Sequence, residues 1–272
     1  MKIISWNIAH RKEPWNQLLY MQADIALLQE ASEPPPNVLS QIEVDKQPWI
    51  TCRPGKDSPW RTAVVKLSDK VEVQWINPAP LGQAQNGQLA VSRPGTLSAA
   101  IVSENKELSL ILVSVYGLWE KPHNLTQSPW IYADASVHRL ISDLSVFIGS
   151  QSNHKLLVAG DLNILHGYGE NGSLYWASRY ASVFSRMEAL GLKFVGPQAP
   201  NGRQADPWPA ELPQTSKNVP TYYSNRQTPT TAKRQLDFVF ASENISNSVR
   251  ATALNQTDKW GPSDHCRILI EM

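Results

Sequence analysis

Cysteine is nearly absent. The chain of 272 residues carries only Cys52 and Cys266, too few for a disulfide framework or a structural zinc site. The two thiols either pair in one disulfide or stay reduced, and a cytosolic chain keeps them as two apolar-like side chains. No run of about twenty apolar residues occurs, so no membrane-spanning helix is expected. Polar Asn7 and His10 arrive too early for the apolar region of a signal peptide, and the expected location is cytoplasmic. An excess of charge of one sign is lacking as well. The formal net charge is +1, which neither requires nor excludes a nucleic-acid partner, because a local basic patch suffices. Internal repeats and flexible linkers are missing too. With 42% apolar and 18% charged residues, the chain can bury a sizeable core and is not disordered. One domain over residues 1–272 is expected.

What the sequence does have is short apolar runs. They recur at residues 2–6, 25–29, 62–66, 71–76, 97–103, 108–116, 155–159, 235–241 and 266–271. Each is strand-length, rich in Val, Ile and Leu, and bounded by Gly, Pro, Asn or Asp. Residues 71–76 alternate, which predicts a half-exposed sheet face. Helical periodicity appears in two places. Ser128-Pro129 reads as a cap followed by proline at the first helical position. After it Trp130, Ala133, Val137, Leu140, Ile141, Leu144 and Ile148 form one stripe that Gly149 ends. Tyr180, Val183, Phe184, Met187 and Leu190, with Gly191 as the stop, mark the second helix, and residues 14–21 a shorter one. Many strands with a few helices between them predict packed sheets with helices outside.

The polar residues that carry chemistry sit at the ends of these strands, where a rigid backbone meets solvent or substrate. Asn7 ends the first run and Glu30 follows the second; Asp161 and Asn163 follow Gly160, Asp237 interrupts an apolar run, and Asp264-His265 precedes the last one. Each residue alone has an ordinary structural use. Asn7 can satisfy a turn, Glu30 can open a solvated loop, Asp161-Leu162-Asn163 can form an Asx-turn, Asp264 can cap a turn, and His265 can be a satisfied core histidine. Hard oxygen ligands such as Asn7, Glu30 and Asp264 suit Mg²⁺, which keeps several waters and needs only one or two carboxylates. Asp161 and Asn163 alternate along the chain, so they converge only if the strand turns there. Asp237 is too costly to bury unpaired; a partnership with His265 offsets that cost and favours the imidazolium.

In order and spacing these motifs resemble the endonuclease/exonuclease/phosphatase superfamily, which includes DNase I-like nucleases, abasic-site endonucleases, inositol-phosphate 5-phosphatases and neutral sphingomyelinases. Ser5-Trp6-Asn7 resembles its opening strand and Leu28-Gln29-Glu30 its metal-binding glutamate. Gly160-Asp161-Leu162-Asn163 resembles its GD-x-N motif, Leu236-Asp237-Phe238 its late aspartate strand, and Ser263-Asp264-His265 its terminal SDH. The resemblance runs from end to end and implies a four-layer α/β sandwich, two packed mixed sheets flanked by helices, with the site at one rim. It implies Mg²⁺ as cofactor, with Mn²⁺ as a substitute, held by Asn7 and Glu30 with Asp264 nearby. It implies Asp161 and Asn163 at the phosphate and attacking water, and His265, paired with Asp237, at the scissile phosphate. Either His265 or Asp161 activates the water. Tyr116 matches an active-site tyrosine of the abasic-endonuclease branch; other branches place a histidine in this region, and His123 follows soon after. The chain departs from that branch at Ala9, where an aspartate is usual, and at Trp119, where Tyr116-Gly117-Leu118-Trp119 replaces Tyr-x-Pro-Asn. The departures speak against abasic-site repair and leave the hydrolytic core intact.

Substrate clues are concentrated in one stretch. From residue 196 to 233 the chain carries seven prolines among Asn, Gln and Thr, an ordered surface loop by expectation because strand-like sequence resumes directly after it. Arg226, Lys233 and Arg234 supply local positive charge, and Tyr222 and Tyr223 offer flat surfaces, a combination that suits phosphate tracking and base stacking. Arg226, Tyr222 and Trp119 are therefore the candidate substrate contacts, and nucleic acid the candidate substrate. Ten tryptophans are present, and Trp60, Trp119, Trp130, Trp208 and Trp260 fall among turn residues, where they either stack on a substrate or pack as amphipathic rim residues. The alternatives are a phosphatase or phosphodiesterase acting on a small or lipid-linked phosphate ester, and a non-catalytic binding module on the same fold.

Overall fold

Apolar residues on both faces of the central strands force two sheets together. The computed structural model describes residues 1–53, 55–104, 108–126, 128, 130–149 and 153–272. In chain order the strands are β1 (Lys2–Asn7), β2 (Ile25–Ala31), β3 (Glu43–Val44), β4 (Arg61–Lys66), β5 (Val71–Ile76), β6 (Pro78–Pro80), β7 (Leu89–Val91), β8 (Leu97–Glu104), β9 (Leu108–Tyr116), β10 (Leu156–Asp161), β11 (Leu192–Gly196), β12 (Asp237–Ser242), β13 (Arg250–Ala253) and β14 (Ile268–Glu271). The helices are α1 (Glu13–Leu18), α2 (Pro36–Leu39), α3 (Ala133–Leu144), α4 (Leu174–Ala189) and α5 (Glu243–Ser246). One mixed sheet has the order β13-β14-β1-β2-β4-β3 and the other β11-β12-β10-β9-β8-β5, with β6 and β7 as a separate pair.

Three apolar clusters cement the layers. Ile3, Leu27, Leu112, Leu157, Val239 and Ile270 meet between the sheets. Val137, Leu140, Ile141, Val183 and Met187 cover the outer face of the second sheet with α3 and α4. Trp15, Leu18 and Val38 cover the outer face of the first with α1 and α2. The result is the expected helix–sheet–sheet–helix sandwich. Among the described residues no helix is long and apolar enough to cross a membrane, and both cysteines are free thiols.

Register places the strand ends at one rim. β1 runs parallel to β2 with Asn7 opposite Gln29. β10 runs parallel to β9 with Asp161 opposite Tyr116, and antiparallel to β12 with Asp161 opposite Asp237. Tyr116, Asp161 and Asp237 therefore stand in one row across three neighbouring strands. Close approach is needed there: a Cβ on Gly160 would collide with the Val115 carbonyl.

Two readings of local structure need correction. The first long helix begins at Ala133, not after Ser128. The Ser128 hydroxyl accepts from Trp130 N and from the Tyr132 hydroxyl, each at 3.2 Å, and Tyr132 N donates to Glu120 O. Ser128 thus closes a local turn, and Trp130 leaves the buried stripe to stand 60% exposed; Pro129 lies outside the described residues. The helix also stops at Leu144 and tightens into a 3₁₀ turn (Ser145–Phe147) before Gly149. The second correction concerns the 196–233 stretch, which is ordered but is more than a surface loop. Val219 and Ala232 enter the core between the sheets, and Thr221–Tyr223 wedge between the chain at Arg234 and the chain at 264–266 through backbone bonds.

Gly160→Ala is expected to lower unfolding stability by about 1–3 kcal/mol, because the carbonyl it strikes belongs to a packed strand. Chemical denaturation measures it, and an unchanged midpoint would contradict the close approach of β9 and β10.

Candidate active site

Asn7, Glu30, Tyr116, Asp161, Asn163, Asp264 and His265 line one cleft of about 230 Å³ at the rim. The first sheet delivers Asn7 and Glu30. A register shift between Leu28 and Ala31 bulges β2, turns Gln29 inward onto Ser114 Oγ at 2.9 Å, and holds Glu30 at φ 46, a re-aiming that bulges provide. Asn7 Nδ2 donates to Glu30 Oε1 at 3.2 Å and to Asp161 Oδ2 at 2.9 Å, joining the two sheets across the cleft. Asn163 takes φ 53, donates its backbone N–H to Asp161 Oδ1 at 2.8 Å and its amide to Asp161 Oδ2 at 3.1 Å. This Asx-turn is the bend that lets Asp161 and Asn163 converge. Ala9 and His10 also have positive φ, so strained backbone is concentrated around the site.

Charge is balanced by one imidazole. Asp161 and Asp237 are each 1% exposed and stand on adjacent strands, and His265 is 4% exposed. His265 Nδ1 hydrogen-bonds Asp237 Oδ2 at 2.8 Å, and its Nε2 lies 3.7 Å from Asp161 Oδ2. Burial opposes the imidazolium, yet Asp237 and Asp161 outweigh it and raise His265 to about 10. Burial, reinforced by the negative Asp237 and Glu30, lifts Asp161 to about 7 against the pull of His265 and Asn7. Burial also raises Glu30, but His10, Tyr116 and Asn7 hold it below its ordinary value. Tyr116 is pushed well up by burial and by Glu30 and Asp161, so its hydroxyl keeps its proton at neutral pH.

Positioning is done by neighbours. Ser263 Oγ donates to Asn7 O at 2.7 Å, and Trp6 Nε1 donates to His265 O at 2.9 Å. Thr221 Oγ1 accepts from Leu236 N and Asp237 N. Tyr222 bridges to both Arg234 and His265 and packs its ring 4.9 Å from the imidazole.

Two donor sets can be tested for a divalent cation. Ligand atoms of Asp161, Asp237 and His265 lie within 4.8 Å of one another, but His265 is charged and has Nδ1 committed, so this trio already holds its own cation, although Asp237 Oδ1 is buried without a hydrogen-bond partner. Glu30 and Asp264 offer carboxylate oxygens in the same cleft, hard donors that fit Mg²⁺-like ions; Asn7 stands beside Glu30 with its Nδ2 toward the carboxylates and its Oδ1 accepting from Ala9 N at 3.0 Å.

The cleft also includes Trp119 and Tyr222. Arg226 is not brought there: it is exposed and lines neither this cleft nor the adjoining cavity, where Arg234 is the cation. The reason is the Thr221–Tyr223 wedge, after which Ser224–Gln227 closes a turn of its own. His123 faces a separate depression with Glu120 and Lys121. Sequence reasoning missed His10 as a site residue and left Trp60 open between stacking on a substrate and packing. His10 Nε2 lies 3.0 Å from Glu30 Oε2, and its ring stacks on Trp60, which meets Tyr116 edge-on. The available signal was the position of His10 three residues beyond Asn7, at the mouth of the same strand end.

A model of the Endonuclease/Exonuclease/phosphatase family matches residues 4–265. The chain belongs to that family and is a hydrolase acting on phosphate esters. No curated protein matches it. Among solved structures it is similar to the AP endonuclease LMAP from Leishmania major (16% identity, TM-score 0.64, all of this chain against 87% of that one). It is similar to the APE2 catalytic domain of Xenopus laevis (17%, 0.64, all against 91%) and to a 3′-5′ exonuclease from Neisseria meningitidis (18%, 0.59, all against 99%). At these identities the likeness is one of fold.

Stability of the metal-free protein should depend on this cluster in a defined sense. Both the His265 and Asp161 folded values lie above their ordinary 6.5 and 3.8. Each contribution is thus complete below the ordinary value and is lost as pH rises through the folded one. In EDTA, denaturation is expected to show stability falling from pH 6.5 toward 10. Stability that stays level or rises across that range would refute the buried imidazolium.

Proposed function

We propose that this member of the family is a Mg²⁺-dependent nuclease that hydrolyses phosphodiester bonds of DNA or RNA, with Mn²⁺ as a substitute metal. The observation that carries the reading is a continuous line of contacts, Glu30–Asn7–Asp161–His265–Asp237, running from an oxygen-donor end to a cationic end of one cleft. Glu30 and Asp264, with Asn7 beside them, would hold the metal, which would neutralise phosphate charge and polarise the phosphorus–oxygen bond.

The side chains divide the remaining work. His265, an imidazolium at neutral pH, donates from Nε2 to a phosphate oxygen and stabilises the charge that develops there. Its high pKa makes it a poor base. Asp161, raised to about 7, accepts the proton of the attacking water as the water oxygen bonds to phosphorus and the ester bond breaks. Asn163 orients Asp161, and the protonated Tyr116 hydroxyl adds a donor at the phosphate. Asp237 is a positioning residue that fixes the His265 ring and its charge. Trp119 and Tyr222 give flat surfaces at the cleft for a nucleotide substrate, and a 3′ phosphatase from Neisseria that shares the fold is bound to a product DNA hairpin in its solved structure, in keeping with this.

A second reading, hydrolysis of a small or lipid-linked phosphate ester, draws on the position of Arg226 outside the cleft and the adjoining cavity, which takes away one of the cations expected to track a phosphate chain.

Hydrolysis of a labelled oligonucleotide is expected to stop in EDTA and return with Mg²⁺ or Mn²⁺; full activity after exhaustive chelation would sink the metal assignment. In the same assay, at a temperature where circular dichroism shows the variant folded, His265→Ala should turn over at least about a hundredfold more slowly, and near-normal turnover would remove His265 from the chemistry.

A further inference from the structure

A second cavity of about 580 Å³ adjoins the catalytic cleft and shares Trp119, Asn163 and Tyr222 with it. Its walls are aromatic. Trp130 precedes α3, Trp176 and Tyr180 lie one turn apart on α4, and Tyr168 lies on the connection from β10 to α4. Trp130 meets Trp176 edge-on at 6.0 Å, and Trp176 stacks on Tyr180 at 5.8 Å. Trp119 and Trp130 stand 52% and 60% exposed, an arrangement of large apolar rings in solvent that marks a binding surface. Arg234 and Glu211 are the charged residues at the wall.

We propose that this cavity is a base-binding subsite: it stacks the purine or pyrimidine ring of an unpaired nucleotide whose phosphate lies in the catalytic cleft. The inference rests on the nuclease reading and names its substrate class, a base-bearing nucleotide in single-stranded or end-frayed nucleic acid. Four physical points support it. The cavity is continuous with the cleft, so a phosphate and its own base can occupy the two together. Flat indole and phenol faces suit a planar ring, each stack being sequence-tolerant. The Tyr180 and Tyr222 hydroxyls give a ring's polar edges partners, which an acyl chain does not use. Arg234 supplies a bidentate donor for a neighbouring backbone phosphate. A ring still paired in a duplex stays in its stack and cannot enter a concave wall, so the base must be unpaired.

The test compares hydrolysis of two single-stranded oligonucleotides that differ only in carrying a base or a tetrahydrofuran residue beside the scissile phosphate. The unaltered protein is expected to favour the base-bearing strand in kcat/KM by roughly tenfold or more. Trp130→Ala and, as a second variant, Trp176→Leu should each erode that ratio. Equal or faster cleavage of the tetrahydrofuran strand, or variants that leave the ratio unchanged, overturns the subsite. Tryptophan fluorescence separates this from the nuclease reading. In EDTA, adenosine 5′-monophosphate should quench at a concentration at least about tenfold below that needed with ribose 5-phosphate, whether or not any oligonucleotide is cleaved. Equal responses to the two, or quenching by phosphatidylglycerol vesicles and not by the nucleotide, would show that the cavity does not take a base.

Discussion

Asp161 and Asp237 face each other across β10 and β12 with almost no exposure to solvent. Two carboxylates in that position repel each other and have lost their hydration. His265 is the group that makes the arrangement tenable, at 2.8 Å from one and 3.7 Å from the other. Much of the rim follows from the need to keep that imidazole in place. Trp6 holds its carbonyl and Ser263 ties the preceding turn to Asn7. Thr221–Tyr223 packs against it from a third side, with Cys266 N donating to Thr221 O. The first sheet, the second sheet and the proline-rich stretch are therefore joined at one buried charge cluster. Removing one partner of such a cluster leaves an uncompensated charge, which costs far more than the intact arrangement contributes.

The same constraint explains why function and strain coincide. Glu30, Asn163, Ala9 and His10 all adopt positive φ, a conformation that side-chain-bearing residues avoid. Each lies where a strand ends at the rim and must turn a polar group into the cleft. The cost is borne by the packed sheets beneath, whose apolar strands leave the backbone little freedom to relax.

The central strands were legible because residues 2–6, 25–29, 62–66, 97–103 and 108–116 are apolar on both faces, and the site was legible because its polar groups interrupt or end such runs. Asp237 is the clearest case: a carboxylate at the start of an apolar strand has to have a partner, and His265 is that partner. The short strands Glu43–Val44, Leu192–Gly196 and Arg250–Ala253 escaped notice because they are sheet edges, where one neighbour suffices and no continuous apolar run is required. The start of α3 was misjudged because a serine that caps a turn has the same sequence as one that caps a helix. Arg226 was misplaced for a similar reason: closeness in sequence to Asp237 says nothing about which way a wedge such as Thr221–Tyr223 directs the chain after it. His10 went unread because its partner, Glu30, is reached only through the bulge in β2.

Asp161 is where the oxygen-donor end and the cationic end of the cleft meet, so one substitution there tests the whole arrangement. The decisive measurement is the single-turnover rate of a labelled single-stranded oligonucleotide with Mg²⁺, for the unaltered protein and for Asp161→Asn. The predicted result is measurable hydrolysis by the former and a rate at least about a hundredfold lower for the latter, with an unchanged fold. Hydrolysis at comparable rates by both proteins would contradict the account.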